Sequence, residues 1–204
     1  VRVETGEDVH FDYLVVATGA NYRSALVKPL DGDSSERREH YRMLNAQVVA
    51  ARRILIIGAG PIGVEIAGEL SQEFPEKNVT LIERESRILP GTSKRLSAWA
   101  AGMLADRSVN LIVSDELVSP VAPKSDVDLV GGEATTRSGR RIAYDMALWC
   151  LGARSDAGFL TDSFPNAVND KGEVIVNSRL QMAGAQNIFA LGDAANFPVK
   201  GGVP

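Results

Sequence analysis

The chain has little of the side-chain chemistry that metal sites and covalent catalysis require. Its 204 residues include a single cysteine, Cys150, and only two histidines, His10 and His40. One cysteine excludes an internal disulfide and a CxxC redox pair, and its apolar surroundings favour a buried thiol. The two histidines have no neighbours at ligand spacing, which leaves no material for a zinc site or a histidine-based triad. We therefore expect no metal and no side-chain nucleophile.

Excess charge of one sign and long apolar runs are also missing. The formal net charge is -4 and the pI is about 5.3, so no general electrostatic attraction draws the chain to nucleic acid phosphates, and no nucleic acid partner is expected. The longest apolar candidate, residues 54–70, contains Glu65, Glu69 and several glycines, which excludes a transmembrane segment. We expect a globular protein, cytoplasmic or peripheral to a membrane, whose composition permits a homo-oligomer.

Neither end of the sequence has the features of a chain terminus. It begins Val1-Arg2-Val3 with no starting Met and no leader, and it finishes in the loop-like residues 200–204. We expect this sequence to be part of a longer protein.

Apolar periodicity predicts strands that alternate with helices. Strands are expected at 11–16, 53–57, 78–82, 109–113, 146–150 and 187–191, and helices at 36–52, 61–74 and 93–105. Short apolar runs with turn residues between 117 and 144 predict a β-meander. The pattern is that of an α/β fold with a Rossmann-like, doubly wound sheet. Spacing predicts two buried helix faces: Ile62, Ile66, Leu70 and Phe74, and Leu96, Trp99, Ala100 and Leu104.

A glycine-rich turn, residues 58–63, follows the second of these strands. Pyrophosphate requires backbone N–H groups at a helix N-terminus: Gly58 makes the tight turn, Gly60 removes a side chain from the phosphate, and Gly63 brings helix and strand together. Pro61 suits the first helical turn, which Ile62 continues. Because the motif joins a buried strand to an amphipathic helix and a second strand follows, it predicts a unit that binds NAD(P)H.

Three charged residues, Glu83, Arg84 and Arg87, bear on the choice between NADH and NADPH. Glu83 ends the second strand of this unit, where a carboxylate accepts ribose hydroxyls and repels the 2′-phosphate of NADP, so NADH is preferred. Arg84 and Arg87 follow and offer a partner to that phosphate, which leaves NADPH open.

Glu65 lies in the first two helical turns, where the helix dipole favours any carboxylate, so its position is compatible with a structural or a functional role.

Four ordered motifs resemble the pyridine nucleotide-disulfide oxidoreductase superfamily across nearly the whole chain. They are residues 12–19, which end in Ala17-Thr18-Gly19, the turn at 58–63 with Glu65, residues 145–152, and residues 188–193. The sequence looks most like type II NADH dehydrogenases and apoptosis-inducing-factor-like oxidoreductases. It lacks the CxxC pair of a thioredoxin reductase and the Pro-Asn that usually follows the turn at Gly152.

The resemblance implies a division into two domains. The turn at Gly19 leads from an FAD-binding domain into an inserted NAD(P)H-binding domain, and the turn at Gly152 leads back near the nicotinamide. The expected parts are residues 1–20, 21–153 and 154–204, of which the first and last belong to the FAD-binding domain. The resemblance also assigns Ala17, Thr18, Gly19, Gly192 and Asp193 to FAD, and Glu65 to the neighbourhood of the nicotinamide.

Two functions of different classes follow from these patterns. One is an FAD-dependent NAD(P)H oxidoreductase, in which hydride passes from NADH to the flavin and electrons continue to a quinone-like or other small acceptor. The other is a stand-alone NAD(H)-binding module or sensor without flavin or catalysis, because this sequence lacks the GxGxxG that holds the adenosine part of FAD.

Overall fold

The computed structural model describes residues 1–3, 5–22, 33–120 and 129–197. The chain divides into two compact units, and the second is inserted into the sequence of the first. Val1–Asn21 and Ala153–Pro204 form the first unit, and Tyr22–Gly152 forms the second. Among the described residues, no helix combines the length and the apolar character needed to cross a membrane.

Strands and helices alternate through the inserted unit, as the apolar periodicity predicts. In chain order the elements are β1 (Leu14–Val16), β2 (Ala20–Tyr22), α1 (Ser34–Ala50), β3 (Arg53–Ile57), α2 (Pro61–Glu73), β4 (Asn78–Ile82), α3 (Lys94–Asp106), β5 (Asn110–Ile112), β6 (Leu117–Ser119), β7 (Leu129–Thr136), β8 (Arg141–Trp149), β9 (Ala153–Ser155), β10 (Val174–Ile175), β11 (Ile188–Ala190) and β12 (Ala195–Asn196). Short 3₁₀ helices cover Gly158–Leu160 and Gly192–Ala194.

The inserted unit is built on a six-stranded sheet in the order β5-β4-β3-β8-β7-β6. Its first four strands are parallel, and α2 and α3 connect β3 to β4 and β4 to β5. The strands β6, β7 and β8 are antiparallel neighbours. The predicted Rossmann-like sheet with a β-meander is therefore confirmed.

Both faces of the parallel strands are buried, which explains their nearly continuous apolar sequences. Ile54 and Ile56 point to a cluster that α1, α2 and α3 cover, whereas Leu55 and Ile57 point to a second cluster that includes meander residues such as Tyr144. The carboxyl ends of β3, β4 and β8 consequently meet at one edge of a sheet that is covered on both sides.

The predicted buried face of α3 is wrong at its two largest residues. Leu96 is 43% exposed and Trp99 is 63% exposed, whereas Ser97, Ala100 and Leu104 are buried. Small side chains bring the helix close to the sheet, and the Ser97 hydroxyl donates to the carbonyl of Ile88 at 2.7 Å, which removes the cost of burying it.

The buried face of α2 is likewise shifted towards small residues. Gly63, Ala67, Leu70 and Ser71 are buried there. Of the predicted set only Leu70 belongs to this group, and Ile62, Ile66 and Phe74 are partly buried at its margin, packed against the helix-covered cluster. Close contact between α2 and the sheet therefore depends on the small residues rather than on the isoleucines.

Several element boundaries also differ from the predictions. The strand expected at 11–16 is limited to Leu14–Val16, and the strand expected at 146–150 is the second half of the longer β8. Helix α1 begins at Ser34 because Asp33 caps it: the Asp33 carboxylate accepts from the N–H of Glu36, whose own carboxylate accepts from the N–H of Asp33.

The first unit has its own core and three two-stranded sheets. Strand β1 pairs in parallel with β11, β10 pairs with β12, and β2 pairs with β9. Val16, Ile188 and Ala190 are buried in a cluster with residues of the 157–182 region. The pairing of β1 with β11 brings the two ends of this unit together.

Candidate functional site

A cleft of about 580 Å³ opens at the carboxyl ends of β3, β4 and β8, within the inserted unit. Ligands of open parallel sheets bind at this edge, and the volume lies in the range of about 300–1,000 Å³ that is typical of small-molecule sites. Five of the residues selected from the sequence line it: Gly58, Gly60, Glu83, Arg84 and Gly152.

Two glycines of the turn are required by packing. Gly58 has a φ of 100°, which favours glycine, and a Cβ there would lie 2.5 Å from the carbonyl oxygen of Cys150. A Cβ on Gly63 would overlap the carbonyl oxygen of Gly58. These two positions therefore bring α2, β3 and β8 into close contact.

Gly60 has no such structural reason to be glycine. Its φ is -70°, which every residue adopts, and a Cβ at this position would meet nothing within 4 Å. It lines the cleft and directly precedes α2, whose first residue is Pro61. Gly60 therefore has open space in front of it and lies in the wall of the cleft.

The start of α2 adds hydrogen-bond donors to that space. The N–H groups of Ile62 and Gly63 donate to no acceptor among the described residues, as is usual for a first helical turn without a capping side chain. Such N–H groups and the helix dipole attract phosphate. The turn thus fits a pyrophosphate group.

Glu83 connects the glycine turn to the end of β4. The residue is 8% exposed, and its Oε2 accepts from the N–H of Ala59 at 2.8 Å while its Oε1 accepts from the N–H of Glu85 at 3.0 Å. Each carboxylate oxygen keeps a second lone pair, and Glu83 lines the cleft. It is therefore available to hydroxyl donors of a ligand.

The two arginines after Glu83 have different surroundings. Arg84 is exposed, lines the cleft and lies 3.5 Å from the Glu85 carboxylate. Arg87 donates to the carbonyl groups of Leu89, Pro90 and Thr92, so its guanidinium is occupied by its own loop. Only Arg84 is left to meet a phosphate in the cleft.

Sequence reasoning missed an acidic wall of the cleft, formed by Glu85, Asp115 and Glu116. Asp115 is buried and accepts from the hydroxyl of Ser138 at 2.6 Å and from its N–H at 3.1 Å. The Ser138 hydroxyl is the main cause that lowers the pKa of Asp115 from 3.8 to about 2. Asp115 follows β5 as Glu83 follows β4, so attention to strand ends would have found it.

Three other selected residues of the inserted unit lie beside the cleft rather than in its wall. Glu65 and Pro61 are on the exposed side of α2, and Ile62 is partly buried. None of the three belongs to the cleft lining. The structure thus brings together the glycine turn, Glu83, Arg84 and Gly152, and leaves Glu65 on the helix surface.

A second cleft, of about 670 Å³, lies within the first unit. Its wall includes Gly192 and Asp193, together with Ser155, Lys171 and Glu173, which sequence reasoning missed. The N–H of Leu191 donates to the carbonyl of Val16 at 3.0 Å, in line with the parallel β1 and β11. The turns after these two strands therefore lie at the same edge.

The turn Ala17-Thr18-Gly19 adjoins this second cleft without lining it, although the next residue, Ala20, does. The Thr18 hydroxyl donates to the carbonyl of Asp156 at 3.0 Å, and the N–H of Asp156 donates to the carbonyl of Gly19. Gly19 and Gly192 have φ angles of 72° and 61°, which favour glycine at both turns. Asp156 therefore holds the turn at Gly19, and the backbone geometry of both turns favours glycine.

The sheet order, the glycine turn and the cleft at the strand ends define a Rossmann-like dinucleotide-binding protein. The chain belongs to the pyridine nucleotide-disulphide oxidoreductase family, whose model matches residues 1–203. This is a family of NAD(P)H-dependent flavin oxidoreductases that use FAD and NAD(P)H.

Curated relatives include apoptosis-inducing factor homolog A of Dictyostelium discoideum, 29% identical over 97% of this chain and 52% of the relative. Ferroptosis suppressor protein 1 of Homo sapiens is 26% identical over 96% of this chain and 53% of its own length. The chain thus spans about half the length of the curated relatives it matches.

Solved structures show the same fold at lower identity. A NAD-dependent persulfide reductase from A. fulgidus has a TM-score of 0.69 and 24% identity over 94% of this chain and 35% of its own. The water-forming NADH oxidase from Lactobacillus brevis, bound to NADH, has a TM-score of 0.66 and 21% identity over 91% of this chain and 40% of its own.

Proposed function

We propose that the chain belongs to a flavin oxidoreductase that takes electrons from NADH and delivers them to a small acceptor such as a quinone. Gly60 carries the proposal, because it lines the cleft directly before α2 and a Cβ there would meet nothing within 4 Å, which leaves room for a phosphate beside the helix N-terminus. Residues 21–153 form the NAD(P)H-binding domain, and residues 1–20 and 154–204 contribute to the FAD-binding domain.

Each wall of the first cleft takes one part of the dinucleotide. The turn at Gly58 and Gly60 and the first N–H groups of α2 bind the pyrophosphate. Glu83 accepts hydrogen bonds from the adenosine ribose, and Gly152 borders the nicotinamide end. Glu65 contributes from the helix surface near the nicotinamide, as the family resemblance implies.

NADH is the preferred dinucleotide in this proposal. Glu83, Glu85, Asp115 and Glu116 surround a cleft whose lining includes one arginine, Arg84, and Arg84 already lies beside Glu85. Like charges in a cleft with apolar walls repel each other strongly, so a 2′-phosphate is disfavoured.

The turns of the first unit hold the flavin. Ala17, Thr18, Gly19, Gly192 and Asp193 follow two paired parallel strands, and a cleft opens at Gly192 and Asp193. A flavin held at these turns would supply the redox chemistry, accepting a hydride from the nicotinamide and returning electrons to the acceptor. The quinone-like acceptor is proposed on the likeness to the apoptosis-inducing-factor homologs and ferroptosis suppressor proteins.

A stand-alone NAD(H)-binding module is the second candidate. The observation in its favour is that the first cleft is lined entirely by residues of the inserted unit, so this unit needs no flavin to bind a dinucleotide.

Spectroscopy of the purified chain separates these two functions. A bound flavin spectrum that NADH bleaches under anaerobic conditions, and that a soluble quinone restores, supports the oxidoreductase. A colourless chain that binds NADH and takes up no added FAD supports the module. Absence of NADH binding by titration calorimetry contradicts both, and Gly60→Val is the matched variant that should lose binding.

A further inference from the structure

The loop between β4 and α3 shapes one wall of the first cleft through Arg84, Glu85 and Pro90. Arg87 belongs to this loop without lining the cleft. Its guanidinium donates to the carbonyl oxygens of Leu89 at 3.2 Å, Pro90 at 2.6 Å and Thr92 at 2.9 Å. Three acceptors along one short segment fix its path, because a planar guanidinium holds its donors in set directions.

The segment needs this support because Leu89 is in the left-handed region. Its φ is 49°, a conformation that is unfavourable for a leucine. The Leu89 side chain is buried, and its carbonyl also accepts from the N–H and the hydroxyl of Thr92, each at 2.9 Å. Arg87 and Thr92 together therefore hold Leu89 in a conformation that it would not adopt alone.

The strained residue contacts the glycine turn directly. The N–H of Leu89 donates to the carbonyl oxygen of Ala59 at 2.7 Å, and the N–H of Ala59 donates to the Glu83 carboxylate at 2.8 Å. Ala59 stands between Gly58 and Gly60, so both peptide groups that join these glycines to it are fixed. The carbonyl held by Leu89 shares its peptide plane with the N–H of Gly60.

We propose that Arg87 is a positioning residue for the pyrophosphate: it orients the Ala59–Gly60 peptide through Leu89 and never touches the dinucleotide. The inference rests on the proposed function for its ligand, and on the hydrogen bonds above for its mechanism. Arg87 and the glycine turn are separated by more than twenty positions in the sequence, so only the fold connects them.

The first test needs no ligand. Amide hydrogen exchange reports the opening of single backbone hydrogen bonds. In Arg87→Met the N–H groups of Leu89 and Ala59 should exchange faster than in the wild type, while those of β3 keep their protection. Arg95→Met is the matched control, because Arg95 is exposed on α3 and has no side-chain hydrogen bond among the described residues. Unchanged exchange at Leu89 and Ala59 overturns the proposal.

The second test separates the two ends of the ligand. ADP-ribose contains the pyrophosphate and adenosine does not, so Arg87→Met should raise the Kd of ADP-ribose about tenfold and leave that of adenosine within about twofold. Arg87→Lys retains the charge but reaches fewer carbonyls, so its Kd for ADP-ribose should lie between those of the wild type and Arg87→Met. Equal weakening of both probes overturns the inference, because it indicates general disruption of the unit.

The two tests distinguish failure of the inference from failure of the proposed function. A wild-type chain that binds no ADP-ribose contradicts the proposed function, whereas hydrogen exchange still decides whether Arg87 controls the glycine turn.

Discussion

The carbonyl oxygen of Gly58 occupies the space that a Cβ on Gly63 would need. Gly58 is itself confined by the carbonyl of Cys150 and by its positive φ. Gly60, between them, has ordinary backbone angles and open space in front of it. One motif therefore contains glycines of two kinds, two required by packing and one, Gly60, where the backbone has room for a side chain at the edge of the cleft.

Substitution of these glycines should separate stability from binding. Gly60→Ala should cost no more than about 1 kcal/mol of stability, because nothing contacts the new methyl group and the only loss is the preference of the α2 N-cap for glycine over alanine. It should raise the Kd of NADH by about tenfold or more. Gly63→Ala should instead cost about 1–3 kcal/mol of stability, because the backbone must move. Urea unfolding and titration calorimetry measure the two quantities; a Gly60→Ala chain that unfolds as readily as Gly63→Ala contradicts this division.

The ion pair between Asp145 and Arg53 should make the free energy of unfolding depend on pH under acidic conditions. Its carboxylate accepts from the Arg53 guanidinium at 2.6 Å and from the N–H groups of Arg52 and Arg53, which joins β8 to the start of β3. The Arg53 side chain is the main cause that lowers the pKa of Asp145 from 3.8 to about 2. Because the folded-state pKa lies below the unfolded one, the stabilisation is complete above about pH 5 and is lost progressively as pH falls to about 2.

Thermal unfolding across this pH window should therefore show a smaller fall in Tm for Asp145→Asn than for the wild type. Part of the dependence should remain, since the pKa of Asp115 is also lowered to about 2. Asp162→Asn is the control, because this exposed carboxylate has no hydrogen bond among the described residues. Identical slopes for the wild type and Asp145→Asn would show that the pair contributes nothing to acid sensitivity.

Periodicity predicted the elements well because buried parallel strands and the helices that cover them have distinct apolar patterns. Periodicity predicted the wrong buried face of α3, because the same helical spacing fits two adjacent faces of one helix. Hydrophobicity favoured Leu96 and Trp99, but close packing selected Ser97 and Ala100, and the hydrogen bond of Ser97 to Ile88 depends on a loop that periodicity does not describe.

The exposure of Trp99 can be tested by truncation. Trp99→Ala should change the free energy of unfolding by less than about 0.5 kcal/mol, since the side chain is mostly exposed. Leu104→Ala, five residues further along the same helix and on its buried face, should cost about 2–5 kcal/mol because it leaves a cavity in the core. Urea unfolding measures both. A loss of several kcal/mol for Trp99→Ala would show that Trp99 is buried, as the sequence predicted, and would contradict the exposed position.

The sequence predicted those residues of the candidate site that follow an apolar strand and are glycine or glutamate, the types that a dinucleotide site uses there. Gly58, Glu83 and Gly152 follow β3, β4 and β8, and strands that are parallel neighbours end at one edge. The acidic wall was missed because Asp115 depends on Ser138, which is brought to it by the turn between β7 and β8. Likewise, the sequence suggests that Arg87 could bind a phosphate, whereas in the structure its guanidinium donates hydrogen bonds to three carbonyl groups of its own loop.

Glu83 should determine both the cofactor preference and the position of the turn. In Glu83→Gln the side chain keeps its shape and loses its charge, and its amide nitrogen cannot accept from an N–H. One of the two N–H groups, from Ala59 or Glu85, then lacks its acceptor, which should cost about 1–3 kcal/mol of stability. Loss of the carboxylate should weaken NADH binding and reduce the repulsion of the NADPH 2′-phosphate.

The measurement for Glu83 is the ratio of the Kd values of NADPH and NADH, obtained by titration calorimetry. Glu83→Gln should lower this ratio, because the two dinucleotides respond in opposite directions to the lost charge. Glu116→Gln removes another carboxylate of the same cleft, one that pairs with Arg137, and it should change the ratio less. If Glu83→Gln weakens both dinucleotides by the same factor, Glu83 acts only by holding Ala59, and the preference for NADH arises elsewhere in the cleft.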